Sequence, residues 1–352
     1  MPILIITPWI NKFYILDLTA QKSLVKHLTD QGFSVFISSW KNPTADMRDV
    51  RFDDYLLEGI NALVNATRAF CKVPQLHLVG YCIGGTLAAT YMAWANKRHE
   101  ADSMPVAHWT LLAALTDFSH PGEIEVFINE ACISALDELM AKKGYLDGSE
   151  MASSFRLLRP NSLIWHYWVH SYLLGEKLPP FDVLFWNNDT TRMPQAMHAY
   201  YLREMYLHNN LVKRDHLTLG GESIDLNRIT QPLYAVTAEE DHIAPWQQCY
   251  LIRRDVNAAT PVRFDRSTSG HILGIVNPPV HPPKRGYWVA DPAPNEDTQR
   301  WLSRAEKKPG SWWPDWTAWL HARTGDMVPA YATSSRKFPA LADAPGHYVM
   351  EK

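Results

Sequence analysis

The sequence predicts an α/β protein with a mainly parallel central sheet, flanking helices and a mostly helical cap inserted between two parts of the sheet. Three observations carry this prediction. Apolar, β-branched segments alternate with amphipathic ones over residues 1–116. Over residues 117–222 strand patterns fade, and helical patterns with many aromatic residues dominate. Strand patterns return in residues 223–352. Strands that alternate with helices are typical of a parallel sheet.

In the first part of the chain, four apolar segments predict strands: Pro2–Thr7, Phe33–Trp40, Leu76–Gly80 and Val106–Leu115. Continuous β-branched runs of this kind favour strands that are buried on both faces. Apolar residues at helical spacing predict helices at Ser23–Gln31, Asp53–Cys71 and Leu87–Ala95. Each predicted strand is therefore followed by helical or loop sequence, as a parallel arrangement requires.

In the last part of the chain, Leu233–Thr237 and Val262–Phe264 predict two strands, and we expect the second to be the last strand of the sheet. A helix through Gln247–Asp255 separates them. The segment Ser311–Leu320 places four tryptophans in one short predicted helix. Large aromatic side chains bury much apolar area, so we expect this helix to anchor the end of the chain to the core.

Composition excludes several classes of protein. The formal net charge of −3 gives no support for nucleic-acid binding. The four cysteines form no C-x-x-C pair, so we expect no metal site, and their scarcity fits a reducing, cytoplasmic compartment. No charged and apolar leader opens the sequence, and no uninterrupted apolar run reaches the ~20 residues that a membrane span needs.

The sequence Gly80-Tyr81-Cys82-Ile83-Gly84-Gly85 lies between a predicted strand and a predicted helix. Glycines two residues before and two after a nucleophile mark a nucleophile elbow, a sharp turn that leaves no room for side chains at the glycines. Such a turn also directs the Ile83 amide and the helix N-terminus at the reacting atom. A buried packing cysteine is the main alternative, and a dinucleotide loop is disfavoured because the G-x-G-x-x-G order is missing.

A catalytic cysteine needs a base, and the base needs a residue that orients it. In α/β-hydrolases the order along the chain is nucleophile, acid, histidine, each after a strand. Cys82, Asp241 and His271 follow this order. His242 is a rival base and Asp265 a rival acid, but the first adjoins Asp241 and the second lies close to His271 in the chain. The second oxyanion donor is expected in the loop after the first strand, at Trp9 or Ile10.

Together these segments resemble the polyhydroxyalkanoate synthases, and specifically their class I branch. The elbow resembles the G-x-C-x-G-G box of that family. The similarity extends over the whole chain through Pro8–Leu18, Phe155–Asn161, Pro180–Asn187, Glu240–Trp246, Ser269–Gly274, Asn277–Pro279 and Ser311–Leu320. Ordinary lipases carry a serine elbow and lack these segments.

The resemblance implies an α/β-hydrolase core with a flexible cap and a triad of Cys82, His271 and Asp241. It implies that short-chain (R)-3-hydroxyacyl-CoA, such as 3-hydroxybutyryl-CoA, is polymerised to a polyester with release of CoA through an acyl-S-Cys intermediate. No cofactor is expected, because CoA is part of the substrate and a product. Asp241 either orients His271 or helps to activate the 3-hydroxyl group. A homodimer and association with polyester granules are also implied.

Two other functions remain open at the sequence level: a cysteine-type esterase or thioesterase of the same fold, and an inactive granule-binding fragment. Full-length members of the family carry an N-terminal domain and further core strands before the segment that matches Pro2–Thr7. From this we expect the present chain to be a catalytic fragment. Which basic residues bind CoA does not follow from the sequence.

Overall fold

The structure, a computed structural model, describes residues 1–158, 165, 168–177 and 181–352. Parts of two segments named above therefore lie outside the described residues, namely Arg159–Asn161 and Pro180. Ile164, His166 and Tyr167, in the aromatic-rich sequence of residues 164–169, also lie outside them.

An eight-stranded sheet forms the centre of the molecule. Its strands are β1 (Ile3–Ile6), β2 (Val35–Ile37), β3 (Leu76–Tyr81), β4 (Val106–Leu112), β5 (Leu233–Ala238), β6 (Val262–Ser267), β7 (Gly286–Ala290) and β8 (Glu306–Pro309). Their order across the sheet is β8-β7-β6-β5-β4-β3-β1-β2. The strands β1 to β6 pair in parallel, and β7 and β8 add an antiparallel edge. The mainly parallel sheet that the sequence predicts is thereby confirmed.

Both faces of the central strands are buried, because alternate residues of these strands enter separate apolar clusters. Leu4, Ile6 and Leu78 belong to one cluster, and Ile5 and Val79 belong to the other. Continuous apolar strands are what a sheet covered on two faces requires.

The helices of the core lie before and after the cap region. They are α1 (Leu24–Asp30), α2 (a continuous run of Phe52–Asp54, the π-helical Tyr55–Asn61 and Ala62–Cys71) and α3 (Ile83–Arg98). Between residues 117 and 222 lie α4 (Glu130–Lys143), α5 (Gly148–Leu158), a π-helical turn at Trp168–Leu173, α6 (Asp182–Asn188) and α7 (Gln195–Tyr201, continued by the π-helical Leu202–Leu207). After β5 follow α8 (Trp246–Tyr250), α9 (Ile252–Asp255), α10 (Thr298–Arg304) and α11 (Trp313–Thr324).

Residues 117–222 also contribute four two-residue strands in two small antiparallel pairs. Tyr145–Leu146 pairs with Met193–Pro194, and Thr218–Leu219 pairs with Glu222–Ser223. The described part of this region is otherwise helical or irregular, as the loss of strand patterns predicts.

Two predictions about the strands are wrong. Val262–Phe264 is not the last strand, because β6 continues to Ser267 and both β7 and β8 follow it. The segment expected at Phe33–Trp40 forms a strand over only Val35–Ile37. This strand is the outer edge of the sheet and pairs with β1 alone, so fewer of its residues are held in a ladder.

Helix α11 fixes the end of the core, as the tryptophan pattern predicts. Trp312, Trp313 and Trp316 are buried. Their indole N–H groups donate hydrogen bonds to Gly274 O, Ile275 O and Thr110 Oγ1 at 3.0, 3.0 and 2.9 Å, respectively. Burial of this aromatic area, with the indole N–H groups of these three residues paired, anchors the helix firmly. In the described parts of the chain, none of the helices has the length and apolar character needed to cross a membrane.

Candidate active site

The turn between β3 and α3 places Cys82 at the carboxyl edge of the sheet. Cys82 has φ 54° and ψ −126°, a conformation that non-glycine residues rarely adopt. Its amide is held by a 2.9 Å hydrogen bond to Leu112 O on the neighbouring strand. Surrounding structure must stabilise such backbone strain, and here the adjoining strand and helix do so.

The glycines around Cys82 are required by close backbone contacts. A Cβ atom on Gly80 would lie 2.5 Å from the Gly85 Cα, and one on Gly84 would lie 2.5 Å from Ile6 O. On Gly85 it would lie 2.3 Å from the Ala114 Cβ. Cβ atoms essentially never lie this close to non-bonded heavy atoms, so the steric explanation of the glycine spacing is confirmed.

The structure brings Cys82, Asp241 and His271 together from three separate strand ends. The Nδ1 of His271 lies 2.6 Å from the Oδ2 of Asp241, and the Cys82 sulfur is near enough to the same ring to raise its pKa. Because Nδ1 faces the carboxylate, Nε2 is the ring nitrogen that is available to the Cys82 sulfur. The second oxygen of Asp241, Oδ1, accepts hydrogen bonds from the amides of Ile243 and Ala244 at 2.9 and 2.8 Å. The carboxylate is therefore fixed on both sides.

The charges of this group favour a protonated histidine. Burial alone would lower the pKa of His271, but the Asp241 carboxylate and the Cys82 sulfur raise it well above its usual value. A positive imidazole beside the sulfur stabilises a thiolate, which is the nucleophilic form of cysteine. The arrangement can therefore provide a nucleophile and a proton donor in direct contact.

The other cysteines lack such an environment. Cys249 is close to the site, but burial and the neighbouring charges of Asp241 and Cys82 raise the pKa of its thiol well above the usual value. Burial raises the pKa of the Cys71 thiol to about 11. Cys132 is exposed on α4, outside the Cys82 group.

Asp265, the rival acid, lies elsewhere. It is fully buried, and its Oδ2 accepts a 2.6 Å hydrogen bond from the Tyr234 hydroxyl. Burial and the nearby Asp315 raise the pKa of this carboxyl well above its usual value, which favours the neutral acid. The carboxylate that faces His271 is that of Asp241.

The expected oxyanion donors lie beside the elbow. Ile83 is the first residue of α3, so its amide has no acceptor within the helix. Trp9 and Ile10 follow β1, whose Ile6 is in register with Gly80 on β3. The loop that carries the second donor is thus adjacent to Cys82 in the sheet, and both of its amides remain candidates.

Aromatic residues from the cap region lie near the site, and two of them were missed in the sequence. Phe118, Tyr201 and Tyr206 form a cluster with ring centroids 4.8 to 6.0 Å apart. Burial raises the pKa of Tyr206, and the nearby Cys82 and Asp241 raise it further. The sequence predicts a helical region rich in aromatic residues here, but nothing at Phe118 or Tyr206 distinguishes them from core residues.

A cavity of about 770 Å³ lies away from Cys82, between the cap region and the last residues of the chain. Its lining includes Lys12, Asp189, Arg192 and Val349. Within the described ranges, no cluster of three or more histidine, cysteine or acidic side chains is arranged to hold a metal ion.

Comparison with known proteins identifies the fold family and several homologues of this chain. A family model described as the alpha/beta hydrolase fold matches residues 11–278. The chain is 43% identical over 354 residues to the poly(3-hydroxyalkanoate) polymerase subunit of Rhizobium etli, a match that covers 100% of this chain and 54% of that protein. It is 40% identical over 355 residues to the poly(3-hydroxyalkanoate) polymerase of Methylorubrum extorquens and 40% identical over 357 residues to the polymerase subunit of Cupriavidus necator.

Those two matches cover all of this chain and 57% and 59% of the respective proteins, so the chain spans a little more than half the length of the curated relatives it matches. The mainly parallel sheet with helices on both sides agrees with the fold that the matched family model describes. The chain belongs to the α/β-hydrolase fold family, and these poly(3-hydroxyalkanoate) polymerases are its homologues.

Proposed function

We propose that this chain contains the catalytic centre of a poly(3-hydroxyalkanoate) polymerase. It joins short-chain (R)-3-hydroxyacyl groups, delivered as CoA thioesters, into a polyester and releases CoA. The observation that carries the proposal is the contact of Cys82 at the elbow with the His271–Asp241 pair. The names of the homologous proteins support the choice of reaction.

In the first step the Cys82 thiolate attacks the thioester carbonyl of the substrate. The amide of Ile83 and that of Trp9 or Ile10 stabilise the negative charge that forms on the carbonyl oxygen. The carbon–sulfur bond to CoA then breaks, and protonated His271 gives its proton to the leaving thiolate. One thioester replaces another, so this step is nearly neutral in free energy.

In the second step the hydroxyl group at the end of another hydroxyacyl unit attacks the acyl-S-Cys82 carbonyl. His271, now neutral, accepts the hydroxyl proton, and the Cys82 sulfur leaves. Asp241 orients His271 in both steps; this role is supported by the engagement of both carboxylate oxygens, one with His271 and one with two backbone amides. Water must be kept away from the acyl-enzyme, and the aromatic cluster of Phe118, Tyr201 and Tyr206 is suited to that exclusion.

The proposal includes contact with a polyester granule and formation of a homodimer. Large apolar side chains are exposed on the described part of the cap region, among them Phe127, Trp168, Tyr172 and Phe185. Trp168 and Tyr172 stack with ring centroids 4.4 Å apart, and clustered exposed apolar side chains mark interaction sites. Sedimentation of the purified chain, with and without isolated granules, measures both associations.

The reaction is tested by incubating the chain with (R)-3-hydroxybutyryl-CoA and measuring thiol release and product size. Thiol release with a polymeric product supports the proposal. Thiol release with free 3-hydroxybutyrate identifies a thioesterase, and no thiol release identifies a granule-binding protein. Substitution Cys82→Ser abolishes polymer formation while the fold survives, whereas Cys132→Ser, at an exposed cysteine, retains it.

A further inference from the structure

Lys12 is a buried lysine whose ammonium group joins three distant segments. Its side chain is 5% exposed and forms an ion pair with Asp189 at 2.9 Å. Its Nζ also donates hydrogen bonds to Val349 O at 2.6 Å and Glu351 O at 2.7 Å. An ammonium has three donor hydrogens, and here each has an acceptor. We call Lys12, Asp189 and the two carbonyls of Val349 and Glu351 the Lys12 clasp.

Lys12 lies in the loop that carries the candidate oxyanion amides. Residues of the cap region hold this loop by donating hydrogen bonds to the main-chain carbonyls of the loop. Thr191 N donates to Ile10 O at 3.2 Å, the Thr191 hydroxyl donates to Trp9 O, and Trp186 Nε1 donates to Lys12 O at 2.7 Å. The carbonyl of Trp9 and the amide of Ile10 form one planar trans peptide unit. Fixing that carbonyl therefore also fixes the direction of the Ile10 N–H.

The last residues of the chain extend the clasp. Asn42 N donates to Glu351 Oε2 at 3.0 Å, and Arg192 Nη2 donates to Lys352 O at 3.2 Å. The segment 349–352 thus contacts the loop after β2, the cap region and Lys12 together. Since its carbonyls satisfy two of the three ammonium hydrogens, loss of this segment would leave a buried charge partly unpaired.

We propose that Lys12 is a positioning residue for acyl transfer, which holds the Trp9–Ile10 loop so that one of its amides meets the developing oxyanion. This inference rests on the proposed function. Lys12 acts through the loop and does not contact the reacting atoms. Because an oxyanion donor accelerates acyl transfer by roughly 10²–10³, a displaced loop slows acylation without affecting the nucleophile itself.

Two reactions of Cys82 separate these effects. Acylation by (R)-3-hydroxybutyryl-CoA passes through an oxyanion, whereas alkylation by iodoacetamide is a displacement at carbon in which no oxyanion forms. We expect Lys12→Met to slow single-turnover acylation, followed by intact mass, about 10- to 100-fold. Alkylation of Cys82 stays within about twofold of the wild-type rate, since the contact between Cys82 and His271 is unchanged.

Two further variants guard against a folding defect in Lys12→Met. Deletion of residues 349–352 and substitution Asp189→Asn each remove part of the clasp, and we expect both to slow acylation selectively. Lys12→Arg, which keeps the charge and the donors, restores part of the rate. The matched control is Lys26→Met, because Lys26 forms an exposed ion pair with Asp30 on α1 and should react like the wild type.

Equal slowing of acylation and alkylation would show general damage to the site and overturn the inference. Acylation at the wild-type rate in both Lys12→Met and the deletion variant would also overturn it. The proposed function fails in a different way. If wild-type Cys82 is never acylated by the CoA thioester, the proposed function is wrong and this inference falls with it. If wild-type Cys82 is acylated but the acyl-enzyme is hydrolysed to free 3-hydroxybutyrate, the proposed polymerase activity is wrong. The acylation rates of the Lys12 variants still test the role of Lys12 in that case.

Discussion

Cys82 adopts a backbone conformation that costs free energy, and its neighbours determine whether that conformation is retained. Residues in such regions are destabilised by about 1–3 kcal/mol and persist only where the surroundings enforce them. Here the 2.9 Å bond from the Cys82 amide to Leu112 O and the glycines at positions 80, 84 and 85 impose the turn. This steric demand leaves a visible pattern in the sequence, which is why the nucleophile could be predicted.

Lys12 illustrates what the sequence does not reveal. It is a single lysine in a loop, and two of its acceptors are main-chain carbonyls, which any residue provides. They lie 337 and 339 residues away along the chain. The choice between Trp9 and Ile10 is hidden for the same reason, because it depends on the direction of a peptide unit and not on a side chain.

Substitution Gly84→Ala tests the packing of the elbow. The new Cβ would lie 2.5 Å from Ile6 O and 2.7 Å from Thr7 O, so a backbone segment must move. We expect the free energy of unfolding to fall by about 1–3 kcal/mol, measured by urea denaturation. In the matched control Gly270→Ala, the closest neighbour is Glu240 O at 3.7 Å, so stability should not change. Equal stability of both variants would contradict the steric account.

Substitution His271→Ala tests the base. Without the imidazole, little thiolate forms at neutral pH, so acylation of Cys82 by the CoA thioester is prevented. Intact mass of the protein after mixing detects the acyl-enzyme. His242→Ala is the control and acylates normally. Normal acylation in His271→Ala would move the base elsewhere, with His242 the first candidate.

At the scale of elements, the six parallel strands were predicted from sequence, with β2 shorter than expected, and the antiparallel pair β7 and β8 was not. Central strands such as β3 and β5 are continuously apolar because both of their faces are covered. The outermost strand β8 has the sequence Glu306-Lys307-Lys308-Pro309 and is largely exposed. Charged residues and proline are common on edge strands because they block pairing with other chains. The charged residues and the proline that suit β8 to an edge position therefore also interrupt the apolar pattern from which a strand is predicted.

The cap region is joined to the core at a polar cluster near its two ends. Asn209 accepts a 2.8 Å hydrogen bond from Phe118 N and donates one of 2.9 Å to Asp117 Oδ1. Asp117 in turn accepts a hydrogen bond from Arg254 on α9. The two ends of the region are thus tied to each other and to the core, while α4 buries only Ile133 and Met140.

We therefore expect the cap region to open as a gate over Cys82. Amide hydrogen exchange in α4 should be faster than in Leu76–Gly80 and should slow when a non-hydrolysable CoA thioether analogue binds. Helix α11, anchored by its tryptophans, is the internal control and should not respond. Protection of α4 equal to that of Leu76–Gly80, and unchanged by the analogue, would mean that substrate enters by a permanent channel.

At the scale of the whole molecule, buried histidines link stability to pH. Burial lowers the pKa of His108 and of His198 to about 4, and it lowers that of His77 well below the usual value of 6.5. The unfolded chain therefore binds more protons than the folded chain between about pH 4 and pH 6.5. Stability is fully present above this window and is lost as the pH falls through it, by about 1.4 kcal/mol per pH unit for each histidine.

Substitution His198→Gln tests how much proton uptake by His198 contributes to the pH dependence of stability. Plotted against pH between 6.5 and 4.5, the free energy of unfolding should have a slope smaller by about 1.4 kcal/mol per pH unit than that of the wild type. Chemical denaturation at a series of pH values gives both slopes. His216→Gln, which removes an exposed histidine, is the matched control variant. Parallel profiles for His198→Gln and the wild type would show that His198 does not titrate on unfolding.

The contact between α1 and α11 has a consequence for synthesis of the protein. His27 Nε2 lies 3.0 Å from Thr317 Oγ1, a separation of 290 residues along the chain. At roughly 5–20 residues per second, a ribosome needs about 15–60 s to produce the second partner after the first. During this time the apolar face of α1, including Leu24 and Leu28, lacks the cover that α11 provides. The nascent chain must therefore be protected from aggregation, and its production should depend strongly on chaperones that bind unfinished chains.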